Sequence, residues 1–390
     1  MTAPDGAVGC CIAHLIESDG PGGAERVVAD LASGFQAAGA RNLVFVPADG
    51  EGWLARQLIG SGVEIERFQL DCPLSPACAR AMATAFRRHH VDIAHSHEFS
   101  MAVYGAWASW LAGVPHVITM HGSRYYAGRL RRRAALRAAV ARSGSVVAVS
   151  HQLADAISHD LFVRRSCIAT VANGVRCESA DGAAFRDELG LSADHKLLVA
   201  IGNLYPVKGH RYLIEAMAML AARHPTLHLA IAGRGELAPE LAARAAAETA
   251  LAGRVHLLGL RSDIPAVLAA ADVFVLPSLS EGLPLALLEA MFAARPIVAT
   301  DVGEVGAALG GGYAGILVKP GDGVALANAL DDLLANRARA RELGARARKR
   351  AAAQYDVSHM VRRYESIYSR LLARQRQARR VRSRSRQRDP

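Results

Sequence analysis

Short runs rich in β-branched and other apolar residues alternate along the chain with longer Ala- and Leu-rich stretches of helical period. GCCIAHLI, GGAERVVADLASGFQAAG and NLVFVPA open the series, and the alternation predicts parallel sheets joined by helical crossovers. After a less regular stretch from Arg176 to His195 the pattern restarts: KLLVAIGNL, HRYLIEAMAMLAARHP, LHLAIAGRG, RVHLLGL, DVFVLPS and PIVATDVG. The fold class is α/β, and two successive Rossmann-like units fit 390 residues better than one giant sheet. From Asp322 onward the pattern becomes long Ala/Arg/Leu helices ending in an Arg/Ser/Gln tail, expected to be disordered. The uncharged run Phe99 to Ser123 is long enough to span a membrane, but Gly105, Gly113, Pro115 and two histidines interrupt it. It reads better as a helix through about Leu111 followed by the strand HVITMHG.

Composition changes this picture little, since 51% hydrophobic and 21% charged residues describe an ordinary folded protein. Charge changes it more. The net +10 invites an anionic partner such as nucleic acid, lipid or a phosphorylated substrate. Residues 370–390 hold nine arginines against Asp389, a net +8, and Arg124 to Arg142 hold seven arginines and no acid, a net +7. The remainder therefore nets −5, and most of the chain is not basic. The tail carries no interleaved aromatic residues and follows no RNA-binding module, which disfavours nucleic acid as the main partner. Six cysteines (10, 11, 72, 78, 167, 177) form no Cys-x-x-Cys pair and no zinc spacing, as for reduced thiols in the cytosol. The start MTAPDGAVGCC has neither the basic nor the apolar region of a signal peptide.

In such sheets ligands sit beyond the carboxyl ends of the strands, so the loops there are the candidates. The first, SDGPGGAE, puts Gly22 and Gly23 before a helix, where free N–H groups favour an anion; a plain strand-to-helix turn explains it as well. GNLYPVKGH puts Lys208 before a helix, as a phosphate partner or a solvated surface lysine. AGRGE supplies Gly233 and Gly235, where a ligand could approach. The strongest signal is PSLSEGLPLALLEAM, with Glu281 in a loop and Glu289 inside a helix, eight residues or ~12 Å apart if helical throughout. That exceeds the ~5 Å of a retaining glycosidase pair and suits the two ends of an extended ligand. The amides of Leu283, Pro284 and Leu285, next to Gly282, then form a helix N-terminus fit for a diphosphate. Glu289 lies in the apolar run LALLEAMFAA, where an unpaired carboxylate is costly, which favours a hydroxyl-binding role. No Asp-x-Asp stands at a strand end to bridge a metal and a diphosphate.

Glu281 and Glu289, with DVFVLPS before and PIVATDVG after, resemble the signature of glycosyltransferase family 4, retaining enzymes of the two-Rossmann GT-B fold. The resemblance runs from GPGGAE through DIAHSH, TMHG, VAVSHQLADAI, VANGV, LYPVKG and AGRG to ILVKPGD. It implies an N-terminal acceptor-binding domain over 1–178 and a nucleotide-sugar domain over 179–357, facing each other across a cleft. A helix over 358–372 would return to the first domain, and the tail covers 373–390. Glu289 would hold the ribose hydroxyls, Glu281 a hydroxyl of the donor sugar, and Lys208 with the Leu283–Leu285 amides the diphosphate. His121 in TMHG would stand beside the donor sugar. Gly22 and Gly23 would approach the phosphates and the acceptor, and Gly259 to Arg261, with Leu260, would meet the base through the backbone. Asn203 stands where the family often has Arg, leaving Lys208 more of the diphosphate, and Ala294 replaces a common Gly.

The implied activity is metal-independent transfer, with no cofactor, from a nucleotide-sugar donor, a UDP-sugar on family frequency, to a glycan or lipid-linked acceptor. The basic stretch Arg124 to Arg142 and the tail suggest peripheral contact with an anionic membrane surface from the cytoplasmic side. A nucleotide-sugar epimerase on a similar double-Rossmann fold is the alternative.

Overall fold

The computed structural model describes residues 9–50, 52–70, 75–122 and 126–386, excepting the side chains of Arg379 and of 381–386. It contains two compact units, Met1–Gly174 with Val357–Pro390, and Val175–Asp356. The borders anticipated at 178/179 and 357/358 thus fall slightly earlier.

The first unit carries a seven-stranded parallel sheet: β1 (Cys11–Leu15), β2 (Arg41–Pro47), β3 (Glu64–Phe68), β4 (Ile93–His97), β5 (His116–Met120), β6 (Ser145–Ala148) and β7 (Ile168–Thr170). Their order is β3-β2-β1-β4-β5-β6-β7. Every residue of β1, β4 and β5 is buried, as near-continuous apolar runs require when helices cover both faces. The uncharged run divides as anticipated. Helix Glu98–Ala112 stops at Gly113, whose φ of +70° ends it in the left-handed region, and β5 follows. No helix among the described residues is long and apolar enough to cross a membrane.

The C-terminal helix Val357–Arg386 belongs to this unit. It packs closely on helix Gly23–Ala37, where a Cβ on Gly34 would stand 2.7 Å from the Val361 side chain. The tail expected to be disordered is helical through Arg386, because no Gly or Pro interrupts Val357–Arg386 and Arg, Ala, Leu and Gln favour helix. In the basic block a helix spans Leu130–Arg142, and Arg124 lies outside the described residues.

The second unit carries a six-stranded parallel sheet: β8 (Lys196–Ile201), β9 (Leu227–Ala232), β10 (Val255–Gly259), β11 (Val273–Leu276), β12 (Ile297–Thr300) and β13 (Ile316–Val318). Its order is β10-β9-β8-β11-β12-β13. In both sheets the strand order reverses beside the first strand, between β1 and β4 and between β8 and β11. The loops SDGPGGAE, GNLYPVKGH and PSLSEG follow β1, β8 and β11, at the switch points where open α/β sheets bind ligands, while AGRGE follows β9.

Candidate functional site

In the second unit the loops after β8 and β11 are bound together. Leu279 donates its backbone N–H to Val207 O at 2.7 Å, and Gly209 (φ +65°) approaches so near that a Cβ would stand 2.1 Å from Pro277 O. Only glycine fits there, in conformation and in space. This holds Lys208 against Glu281: Lys208 Nζ lies 2.7 and 2.9 Å from the two carboxylate oxygens. Ser278 Oγ donates to Glu281 Oε1 at 2.6 Å, and the Ser278 carbonyl accepts from Thr300 Oγ1 at 2.5 Å. The Glu281 side chain is only 8% exposed, so its charge depends on this lysine and this hydroxyl. Lys208, read from sequence as a diphosphate partner, is thus first a partner of Glu281.

The helix after this loop spans Leu285–Phe292, with Pro284 as its extended N-cap. Proline has no N–H, so the anticipated set Leu283–Leu285 shifts: the first-turn donors without intrahelical acceptors are Leu285, Ala286 and Leu287. Glu289 sits in this helix, half-buried and with an interaction of its own, so it is not an unpaired carboxylate. Gly282 is fixed from behind by the loop after β12, where Glu304 N–H donates to Gly282 O at 2.9 Å. A Cβ on Gly303 (φ +56°) would stand 2.1 Å from Glu281 O.

Gly233 and Gly235, read from sequence as places where a ligand could approach, pack against the loop after β8. Their Cβ atoms would meet Gly202 O at 1.9 Å and Leu204 O at 2.5 Å. Asn203 stands between those two residues, at the end of β8. The Arg261 side chain is committed elsewhere, paired with Asp263 (2.6 Å) and Glu188 (2.6 Å) and lying over the Phe185 ring. Leu260 is 51% exposed, and Gly259 at φ +65° turns the backbone outward before it. His210 begins helix His210–Leu220 nearly fully buried, and burial pushes its pKa down to about 4, so Lys208 is the cation of this loop.

The first unit presents a different chemistry. Gly22 is the N-cap of helix Gly23–Ala37, and Glu25 folds back over it: its carboxylate accepts from Ser18 Oγ and lies 2.2 Å from where a Gly22 Cβ would be. The anion position at this helix N-terminus is filled by the chain's own carboxylate, whose pKa burial raises. Asp19, buried nearby, accepts from Leu54 N–H at 2.6 Å and Ala55 N–H at 3.2 Å, anchoring the next loop.

His121 follows β5. Its Nε2 lies 3.1 Å from His97 Nδ1, with the rings stacked at 5.4 Å, and burial brings its pKa to about 4. His97 Nε2 is buried without a partner. A buried N–H without an acceptor is costlier than a bare lone pair, which assigns the His97 proton to Nδ1, donated to His121 Nε2. His121 is then protonated on Nδ1. His95 and His97 are both fully buried. They are two apart in a strand, hence on one face, and their ring centroids lie 4.1 Å apart. Tyr368 and Thr119 close the cluster at 2.6 and 2.7 Å from the His95 ring nitrogens, and Tyr364 reaches Thr119 at 2.9 Å.

Nitrogens of His14, His95 and His97 lie within 4.8 Å of one another. Both His95 nitrogens are engaged and His14 Nε2 faces Asn42, so only His14 Nδ1 and His97 Nε2 lack partners, too few for a metal centre.

Sequence reasoning missed Glu98. It takes φ +65°, rare for a non-glycine residue, and its Oε1 accepts the His121 backbone N–H at 3.1 Å. Burial, with the charge of Glu17 adding, pushes its carboxyl up to about 8. The only sequence signal was its place directly after β4.

Two parallel α/β sheets with chemistry-bearing loops at their carboxyl ends are the double-Rossmann architecture of GT-B proteins. Residues 195–336 match the family Glycosyl transferases group 1, and residues 21–179 match Glycosyltransferase Family 4. The chain is 30% identical to an α-D-kanosaminyltransferase of Streptomyces kanamyceticus, over 68% of this chain and 73% of that protein. It is also 30% identical to UDP-Gal:α-D-GlcNAc-diphosphoundecaprenol α-1,3-galactosyltransferase of Escherichia coli, over 63% of this chain and 66% of that one. The fold matches Anabaena HepE, solved in complex with UDP and glucose, with a TM-score of 0.81, 24% identity, and coverage of 92% of this chain and 99% of that one. The chain belongs to glycosyltransferase family 4.

Proposed function

We propose that this enzyme is a retaining transferase that moves a sugar from a nucleoside-diphosphate sugar, a UDP-sugar, to a hydroxyl of a glycan or lipid-linked acceptor in cell-surface polysaccharide or glycolipid synthesis. The observation that carries this reading is the Lys208–Glu281 pair at the β8/β11 switch point, beside a helix N-terminus. A carboxylate held rigid by a lysine and a serine suits a sugar hydroxyl, and the adjoining ammonium and amides suit a diphosphate. The names of the E. coli relative and of the HepE complex, both containing UDP, support the choice of donor.

In this reading Glu289 takes the ribose hydroxyls, Glu281 a hydroxyl of the transferred sugar, and Lys208 with the Leu285–Leu287 amides the diphosphate. His121 presents its Nδ1 proton to the sugar. The bond from the anomeric carbon to the phosphate oxygen breaks, and a bond to the acceptor oxygen forms on the same face. The acceptor's proton passes to the leaving phosphate, whose charge Lys208 and the helix N-terminus stabilise without a metal. The exposed arginines of helix Leu130–Arg142, beside Leu130 at 79% exposure, support peripheral contact with an anionic membrane on the cytoplasmic side.

Thermal-shift screening of nucleotide-sugars tests the donor: a ligand at 100 times its dissociation constant adds ~2.7 kcal/mol of stability. Proton NMR of the product then reads the anomeric configuration. Stabilisation by no nucleotide-sugar sinks the proposal, and an inverted product sinks the retaining mechanism. A changed sugar formed without acceptor makes the enzyme an epimerase instead.

A further inference from the structure

The start of the arginine-rich tail has a structural role that glycosyl transfer does not use. Arg370 and Arg374, one turn apart on the C-terminal helix, line a pocket of about 260 Å³ whose other polar side chains are Ser145 and Ser166. Ile367 and Leu371 complete the helix side, and a Cβ on Gly144 would meet the Leu371 side chain at 2.8 Å, so the helix rests directly on backbone there. Ser145 opens β6 and Ser166 precedes β7, which puts the pocket at the amino ends of these strands. His121 and Gly22 follow the carboxyl ends of β5 and β1, at the opposite edge of the same sheet.

No carboxylate lines this pocket, and neither arginine makes an ion pair among the described residues. Both arginines are exposed, so water screens the repulsion of like charges four apart on a helix, about 0.2–0.5 kcal/mol, and an anion seated between them relieves it. Two guanidinium forks, with two hydroxyls able to donate beside them, suit an anion that accepts on several oxygens. The volume is below the ~300 Å³ at which drug-sized ligand pockets begin, so the guest is a small group. We infer that Arg370, Arg374, Ser145 and Ser166 form a binding site for a phosphoryl group, either free phosphate or an anionic lipid headgroup. The inference is independent of the donor chemistry above.

Cys167 supplies the readout, because it lines the pocket and is exposed, while exposed Cys177 in the second unit serves as internal control. Alkylation of both thiols in the full chain is followed by peptide mass spectrometry, with inorganic phosphate, with phosphatidylglycerol or phosphatidylcholine vesicles, and with chloride at matched ionic strength. At a phosphate concentration twice the dissociation constant, modification of Cys167 slows about threefold while that of Cys177 is unchanged. The double variant Arg370→Gln/Arg374→Gln, folded by circular dichroism, loses this protection. Protection by phosphatidylglycerol vesicles alone supports the site and identifies a lipid headgroup as its source. The inference is overturned if neither phosphate nor phosphatidylglycerol protects, if chloride or phosphatidylcholine protects equally, or if the double variant stays protected.

Discussion

The loops at the carboxyl ends of the two sheets solve one problem, holding polar groups at the end of a buried sheet, in opposite ways. After β8 and β11 charge is kept and paired: Lys208 meets Glu281, with Ser278 and Thr300 behind. After β4 and β5 charge is removed, since burial holds His95, His97 and His121 neutral and brings Glu98 near neutrality. The second unit also neutralises a group beside its paired charges, since burial lowers the pKa of His210, and in both units such groups take up or release protons when released from burial.

The largest consequence is acid sensitivity, greater in the first unit, with five depressed histidines, than in the second, with His210, His228 and His256. His14, His95, His97, His116 and His121 all have depressed pKa values in the first unit, so the unfolded chain binds protons below its ordinary histidine value of 6.5 while the folded unit does not. Stability is whole above pH 6.5 and falls toward pH 4, by up to about 1.4 kcal/mol per pH unit for each histidine. Glu98, raised to about 8, acts oppositely, its contribution fading as pH rises from 4.5 to 8, and is outnumbered. Trp53, Trp107 and Trp110 all lie in the first unit, so tryptophan fluorescence reports it alone. On acidification its transition precedes the loss of helical circular dichroism; coincident transitions would erase the contrast.

Next in size are the paired charges. Glu281→Ala removes a carboxylate and strands a half-buried lysine, and lowers kcat/KM by about a hundredfold, or ~2.7 kcal/mol. Lys208→Ala and Glu289→Ala each cost more than about tenfold. Near-normal turnover in any folded variant refutes its assigned role. Smaller again is His97→Ala, which leaves His121 in place but frees its tautomer. It lowers kcat by a few-fold, on the order of 1 kcal/mol, with KM for the donor unchanged. A raised KM with unchanged kcat would mean that His97 serves binding or packing.

Much of this was legible in sequence because it depends on local pattern. Alternating runs of strand and helix period predicted both sheets, and PSLSEGLPLALLEAM announced a loop followed by a helix start. Other features rest on contacts between residues far apart in the chain. Spacing could not reveal that Glu25 covers Gly22, or that Gly233 and Gly235 pack against the neighbouring loop. The tail misled because charge density suggests disorder, while an unbroken run of helix formers carries helix Val357–Arg386 onward from a well-packed start at Tyr364 and Tyr368.

By itself the sequence determined the α/β class, the two units and the family, since periodicity and short motifs are encoded residue by residue. Only the tertiary structure decided which charges pair and which vanish. Lys208 and Glu281 are seventy-three residues apart and meet because β8 and β11 are neighbours in the sheet. His97 and His121 are twenty-four apart and meet because β4 pairs with β5. Ionisation depends on what surrounds a group in space, and strand order, not chain order, supplies those surroundings.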